Sequence, residues 1–188
     1  MANSVPARRA PQPHRRVSIF LRRARGHYGG EAEDFPKNKL EELHGSGLAH
    51  PTDFSPASRR AFRMVVGLAK TSRAELLVAH VLPVLPLVAD AYIAATTYDE
   101  LLRGQRAGAK KQLDRLVGKA KAAGARADGI LLDFGVPAER IVRLAQSRHI
   151  DVIVMGTHGR TGVRRALVGS VAARVVAMAA CPVMTVHA

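Results

Sequence analysis

The chain has 188 residues, of which 47% are hydrophobic and 23% are charged, a composition typical of one folded domain rather than of a disordered or fibrous chain. Its single cysteine, Cys181, excludes an internal disulfide framework, and no apolar stretch approaches the ~18 residues that a membrane span needs, so we expect a cytoplasmic protein without a membrane anchor. The net charge of +14 suits anionic partners but does not choose among them.

The amino-terminal quarter of the chain differs in composition from the rest. Residues 1–30 contain seven arginines and no acidic residue, and residues 31–47 turn first acidic and then glycine-rich. Hydrophobic periodicity strengthens only after about residue 48. We therefore predict that residues 1–47 form a basic, disordered extension and linker, and that residues 48–188 form the domain.

From residue 48 onward, short β-rich runs alternate with longer amphipathic runs, which is typical of an α/β fold with a parallel sheet. Helices are predicted from Pro56, behind an N-capping Ser55, over 98–123, from Pro137, and over 169–179. The last of these has one charge, Arg174, and we expect it to be largely buried. The predicted strands are 48–52, 74–81, 129–134, 151–155 and 182–187.

The first predicted strand is the weakest of the five. Its approach reads Gly45-Ser46-Gly47-Leu48-Ala49-His50, and each glycine or polar residue in a central strand costs on the order of 1 kcal/mol in packing and β propensity. We expect this weakness to loosen the loop that follows, which carries Asp53.

The loop after the fourth strand contains the most specific motif of the chain. Its pattern is G-x2-G-x9-G-S, formed by Gly156, Gly159, Gly169 and Ser170. Glycines let the backbone turn sharply and let a phosphate approach the amides. Unpaired N–H groups at the start of the following helix add donors and partial positive charge. The motif predicts a phosphate-binding loop.

Asp53 follows the first strand, at the edge of an open α/β sheet where ligands bind. Its carboxylate is a candidate acceptor for a ribose hydroxyl or an adenine amino group. It could also cap the helix at Pro56 or close a turn with Ser55, and these roles are compatible. His158 is a candidate phosphate contact or a solvated loop residue, whereas His80, in an apolar strand, is interpreted as a hydrogen-bonded core histidine.

The segments HPTDFSPASRRAF (50–62), LLVAHVLP (76–83) and 135–186, which includes the glycine motif, closely resemble the universal stress protein family of adenine-nucleotide-binding domains. The resemblance covers about residues 50–187. It implies a Rossmann-like, five-stranded parallel open sheet of order 3-2-1-4-5 with helices on both faces. It also implies a homodimer through the C-terminal strand, and ATP or AMP as ligand, with Mg²⁺.

The family's ligand contacts carry over to positions of this sequence by resemblance alone. Those beside adenine and ribose are Pro51, Thr52, Asp53 and Val81, and those holding ribose and phosphates are Met155, Gly156, His158, Gly159, Gly169, Ser170 and Val171.

The chemistry expected of such a chain is binding rather than turnover. The sequence has no Walker lysine motif and no clear general base, so we expect slow hydrolysis of ATP or none. The leading hypothesis is a nucleotide-dependent sensor or regulator in the stress response, acting on an unidentified protein partner. The alternatives are a nucleic-acid-binding protein that uses the arginine-rich arm, and an adenylating enzyme.

Overall fold

The computed structural model describes residues 17–23, 26–31, 47–84, 95–157 and 169–187, the first two ranges by their backbone only. The strands are β1 Val17–Arg23, β2 Gly26–Glu31, β3 Gly47–Pro51, β4 Glu75–Val81, β5 Arg126–Leu132, β6 Val152–Gly156 and β7 Val183–Val186. The helices are α1 Pro56–Ser72, α2 Ala95–Ala122, α3 Pro137–Ser147 and α4 Ser170–Met178. Within these ranges, no helix is both long and apolar enough to cross a membrane.

The start of α1 follows directly from the local sequence. The hydroxyl of Ser55 accepts a hydrogen bond from the backbone N–H of Ser58 at 3.2 Å, and Pro56 occupies the first helical position. The buried face of the helix includes Ala61 and Val65, as the apolar spacing predicted. The cap and the apolar stripe together fix where α1 begins and which face it turns to the sheet.

The order of the five predicted strands is confirmed. In the sheet they run β5-β4-β3-β6-β7, all parallel, which is the order 3-2-1-4-5 among the predicted strands. The sheet is nevertheless seven-stranded, because β1 pairs antiparallel with β7 and β2 pairs antiparallel with β1. The prediction that residues 1–47 are disordered is therefore wrong for these two strands. A hairpin there provides backbone groups that complete the sheet at β7.

The core lies in two layers, one on each face of the sheet, as the fold class requires. Alternate residues of each strand point to opposite faces. On one face, α1 and α2 pack on side chains such as Leu48 and Val154. On the other, α3 and α4 pack on side chains such as Ala49 and Ile153. The near-continuous apolar strands are thus explained by helices that cover both faces.

Helix α4 is less buried than its composition predicted. Of its residues, only Ala172 and Val175 are fully buried, and Met178 at its end is 40% exposed. The helix is short and turns one narrow stripe inward, with Val171 and Val176 partly buried beside it, whereas Ala173 and Ala177 are exposed. The expectation of a largely buried helix was wrong because a low charge count does not fix how much of a helix the sheet covers.

Candidate functional site

The two central strands separate at their carboxyl ends. β3 and β6 share only two ladder pairs, Leu48 with Val152 and Ala49 with Ile153. Beyond them, β3 continues to pair with β4, and β6 continues to pair with β7. Strand order reverses here, because β4 and β5 lie on one side of β3 while β6 and β7 lie on the other. Ligands of open α/β sheets bind at such a switch point, so this edge is the candidate site.

His50 bridges β3 and β6 where their ladder ends. Its Nδ1 lies 2.8 Å from the carbonyl oxygen of Val154, and because a carbonyl only accepts, Nδ1 carries the proton. Its Nε2 lies 3.4 Å from Ser58 Oγ, and its ring stands 5.7 Å from that of Phe62. Burial lowers the pKa of His50 to about 4, against the opposing effects of the Val154 carbonyl and the Asp53 charge. The ring is therefore neutral near pH 7.

Asp53 lies in a turn directly after β3. Its Oδ1 accepts a hydrogen bond from the backbone N–H of Ser55 at 3.0 Å, so the predicted turn with Ser55 is present. Asp53 itself is half-buried, and among the described residues none donates a hydrogen bond to its Oδ2. One carboxylate oxygen thus shapes the turn, and the other is available to a ligand.

The Asp53 turn is held from several sides, contrary to the expectation of a loose loop. Phe54 has a left-handed backbone with φ of 63°, and its N–H donates to Thr52 Oγ1 at 3.1 Å. Its carbonyl accepts from Arg59 Nη1 at 2.8 Å, and its ring stands 4.4 Å from that of His80. His80 Nδ1 in turn lies 2.7 Å from the carbonyl oxygen of Thr52. These contacts offset the weak propensity of β3, and they confirm His80 as a hydrogen-bonded core histidine.

Gly156, at the end of β6, is required by packing. A Cβ at this position would lie 2.9 Å from the carbonyl carbon of Ala57 and 3.0 Å from the backbone nitrogen of Ser58. Both are backbone atoms of the first turn of α1, which cannot move aside as a flexible side chain does. The glycine therefore has a role in the fold itself, since it lets the start of α1 approach the candidate site.

Gly156→Ala is expected to lower the free energy of unfolding by about 1–3 kcal/mol, because the added methyl group overpacks a backbone contact. Urea unfolding followed by circular dichroism measures the effect. Gly67→Ala is the matched control, since a Cβ at that exposed helical position meets nothing within 4 Å. It should leave stability unchanged or raise it by up to about 1 kcal/mol. Equal midpoints for Gly156→Ala and the unmodified protein would contradict the packing role.

Thr157 joins the two ends of the glycine loop, residues 156–169, of which the structure describes the ends. Its backbone N–H donates to the carbonyl of Val186 at 3.1 Å, and its own carbonyl accepts the N–H of Gly169. Gly169 is the N-cap of α4, which has no side-chain cap hydrogen bond. The start of α4, where the first backbone N–H groups have no partner within the helix, is thereby fixed beside the end of β6.

The predicted site residues that the structure describes all lie at this carboxyl edge of the sheet. Thr52 and Met155 are buried at 6% and 5% exposure, so their side chains belong to the interior. His158 and Gly159 lie outside the described residues. Those brought together are Pro51, Thr52, Asp53, Val81, Met155, Gly156, Gly169, Ser170 and Val171. Their contacts with a ligand stay a prediction.

Three residues that support the site were not identified from the sequence. They are His50, Ser58 and Thr157, and each is no more than 4% exposed. Ser58 Oγ donates to Thr52 Oγ1 at 2.7 Å, which ties α1 to the turn. Ser58 is a polar residue on the apolar face of α1, and this sequence feature could have identified it as a supporting residue. No local signal pairs His50 with Val154, because they are 104 positions apart.

The described residues form no protein cage for a metal ion. No group of three or more His, Cys, Asp or Glu side chains converges anywhere in the ranges that the structure covers. Mg²⁺ usually keeps several waters and binds through one or two carboxylates together with substrate phosphates. Asp53 is the only acidic residue among the predicted site positions, so the side chains that the structure describes do not fit a dedicated magnesium site.

Comparisons with known proteins extend these observations. The model of the universal stress protein family matches residues 49–187. A universal stress protein of Methanocaldococcus jannaschii is 38% identical over 137 residues, which cover 72% of this chain and 78% of that protein. The matched family region begins within β3 and therefore leaves out β1 and β2.

Solved structures resemble this chain over the same domain. Universal stress protein UspA from Lactobacillus plantarum has a TM-score of 0.64 and 27% sequence identity, over 76% of this chain and 98% of that one. A universal stress protein solved in complex with cAMP has a TM-score of 0.57 and 29% identity, over 76% of this chain and 97% of that one. One similar protein has thus been solved with a nucleotide of adenine.

Proposed function

The chain belongs to the universal stress protein family, and from that premise we propose that it binds an adenine nucleotide, ATP or AMP, between the carboxyl ends of β3 and β6. The observation that carries the proposal is the arrangement at the switch point. The Asp53 turn stands at the end of β3, and the described ends of the glycine loop and the start of α4 stand at the end of β6. A polar acceptor and a set of N–H donors therefore lie at the same edge of the sheet, one after β3 and the other beside the end of β6.

The nucleoside end of the ligand fits the Asp53 turn. A carboxylate oxygen accepts hydrogen bonds from ribose hydroxyls or an adenine amino group, and Oδ2 of Asp53 is available for this. Oδ1 meanwhile keeps the turn closed through Ser55. The relative solved with cAMP supports an adenosine ligand in this fold.

The phosphate end of the ligand fits the start of α4. Backbone N–H groups at a helix N-terminus donate to phosphate oxygens, and the helix dipole favours the negative charge. At α1 a side chain already takes part of this role, since Ser55 caps the first turn. At α4 the N-cap residue is Gly169, which has no side chain to take this role. We assign the phosphates to α4 and Mg²⁺, where present, to the phosphates themselves rather than to protein side chains.

The proposed function is regulation by binding in the cytoplasm during the stress response. His50, Ser58 and Thr52 form a connected polar network beside the site, and all three are buried and hydrogen-bonded within the protein. A general base must reach a reacting water or hydroxyl, and His50 is enclosed. We therefore expect hydrolysis of ATP to be slow or absent.

Isothermal titration with ATP and with AMP tests the proposal directly. Asp53→Asn is expected to weaken binding by about 10- to 100-fold, because a hydrogen bond to a charged acceptor contributes roughly 1.5–3 kcal/mol. The asparagine keeps an oxygen for the bond to Ser55 and so preserves the turn. Asp128→Asn, at an exposed position on β5, is the matched control and should bind as the unmodified protein does.

Two results would overturn the assignment. The absence of heat with either nucleotide, for protein shown by circular dichroism to be folded, rejects adenine-nucleotide binding. Equal weakening by Asp53→Asn and Asp128→Asn rejects the Asp53 turn as the nucleoside end of the site and leaves only a general charge effect.

A further inference from the structure

Strand β7 is paired on both sides along its whole length. Each of its four residues pairs with β6 in parallel, from Ile153 with Val183 to Gly156 with Val186. Each also pairs with β1 in antiparallel, from Phe20 with Val183 to Val17 with Val186. The hairpin of β1 and β2 therefore makes β7 an internal strand, although β7 is the last strand of the family domain.

Without the hairpin, β7 would be a strongly pairing edge. Its sequence is VMTV, with three β-branched residues out of four and no charge. An uncovered strand of this kind presents a row of free N–H and C=O groups, which is a template for pairing with another chain. The charged side chains or proline that usually protect an edge strand are missing from β7 itself.

Relative to β7, β1 runs in the direction that the β7 strand of a second copy would have to take. A closed pair of identical chains is related by a two-fold axis, and identical edge strands related in this way run antiparallel. β1 runs antiparallel to β7, whereas the neighbour on the other side, β6, runs parallel. The hairpin thus occupies both the place and the orientation of the β7 strand from a second copy.

The strand that the hairpin leaves at the outside is a poor template for pairing. β2 reads GHYGGE, and three of its six residues are glycine, namely Gly26, Gly29 and Gly30. Glycine is depleted in strands, because it loses more conformational freedom and offers no side chain to pack. The hairpin replaces an apolar, β-branched edge by a glycine-rich one.

We propose that the hairpin Val17–Glu31 is a built-in cover of the β7 edge, which keeps the intact chain monomeric there, and that its release lets two copies pair through antiparallel β7 strands. The partner for the uncovered edge is a second copy of this chain. The homodimer through the C-terminal strand that the family resemblance implies then belongs to the released form. This inference concerns the sheet edge and does not depend on nucleotide binding.

Sedimentation and light scattering of full-length variants test the proposal. Ile19→Pro/Phe20→Pro should release the hairpin, because proline removes backbone donors of β1 and breaks its ladders. The measured mass should double relative to the unmodified protein. Ala7→Pro/Ala10→Pro, at positions that precede β1 in the sequence, is the control and should stay monomeric.

A disulfide that joins β1 to β7 provides the opposite test. Ser18→Cys/Thr185→Cys, combined with Cys181→Ser, places cysteines at directly opposed positions of an antiparallel pair, within reach of a disulfide. The oxidised protein should form this bond within one chain and stay monomeric at all concentrations. A bond formed between two chains, or an unmodified protein that is dimeric while the bond forms within each chain, overturns the proposal.

A released variant that is folded and monomeric also overturns it. Should the proline pair prevent folding, Ile19→Gly/Phe20→Gly weakens β1 without breaking it and should shift the monomer–dimer equilibrium in the same direction. Hydrogen exchange on the unmodified monomer gives a further readout, because all β7 amides should exchange slowly when both sides of the strand are paired. Fast exchange of those that face β1 would show that the hairpin does not cover the edge.

Discussion

Gly169→Val is expected to abolish detectable ATP binding, with a loss of at least about 100-fold, while the protein stays folded. Gly169 is the N-cap residue of α4, with φ of −66° and ψ of 155°, an extended conformation that any residue adopts. Its N–H donates to the carbonyl of Thr157, and a valine keeps that bond. The branched side chain would, however, stand beside the amides to which we assign the phosphates, and a lost set of charge-assisted hydrogen bonds accounts for an effect of this size.

Titration calorimetry with ATP and urea unfolding measure the two halves of this prediction. Gly118→Val is the matched control, because it makes the same change at an exposed helical position where a Cβ meets nothing within 4 Å. It should bind ATP like the unmodified protein. Normal ATP affinity in folded Gly169→Val would remove α4 from the phosphate site, whereas unfolding of the variant would show that the glycine serves the fold instead.

The titration of His50 is expected to lower the free energy of unfolding by up to about 3 kcal/mol as the pH falls from 7 to 4. Its pKa is about 4 in the folded protein, against 6.5 as the ordinary value, because it is completely buried. Between these two values the unfolded chain binds the proton more readily than the folded one, so the free energy of unfolding falls with decreasing pH. The contribution of neutral His50 to the free energy of unfolding is fully present above pH 6.5. Each unit by which the folded-state pKa differs from the unfolded value corresponds to about 1.4 kcal/mol.

Comparison with His50→Asn isolates this effect from the titration of carboxylates. The asparagine amide nitrogen can replace Nδ1 as donor to the Val154 carbonyl, but it does not titrate in this range. The variant should be less stable at pH 7 and should show a shallower loss of stability between pH 6.5 and 4. His149→Asn is the matched control for the same substitution at an exposed position, where the φ of 50° is one that asparagine tolerates. An unchanged slope in His50→Asn would reject the assignment, and an NMR titration of the His50 ring provides an independent value.

Much of the candidate site could be predicted because its signals are local. Ser55 and Pro56 mark the start of α1 by capping chemistry, and the structure places both there. The turn of Asp53 with Ser55 also spans only two residues. The glycine motif marks the loop after β6 by its spacing. At Ser55, Pro56 and Asp53 the residues that interact are neighbours in the sequence, so the pattern and the contact coincide.

The supporting network could not be predicted in the same way. The weak propensity of β3 correctly describes its sequence, yet the strand is held by His50 against Val154 and by His80 against Thr52. Propensity measures the preference of a residue without its neighbours, whereas these polar contacts join different strands. Gly156 is a similar case, since its packing against Ala57 lies outside any local pattern.

By itself, the sequence determined the order of helices and strands, the parallel core and the position of the glycine loop, because hydrophobic period, caps and turns act over a few residues. Only the tertiary structure decided that β1 and β2 join the sheet, that they cover β7, and how far α4 is buried. The physical reason is that strand pairing and burial depend on which distant segments meet. The basic segment of residues 1–47 contains strands that gain their stability from an edge of the sheet at the opposite end of the chain.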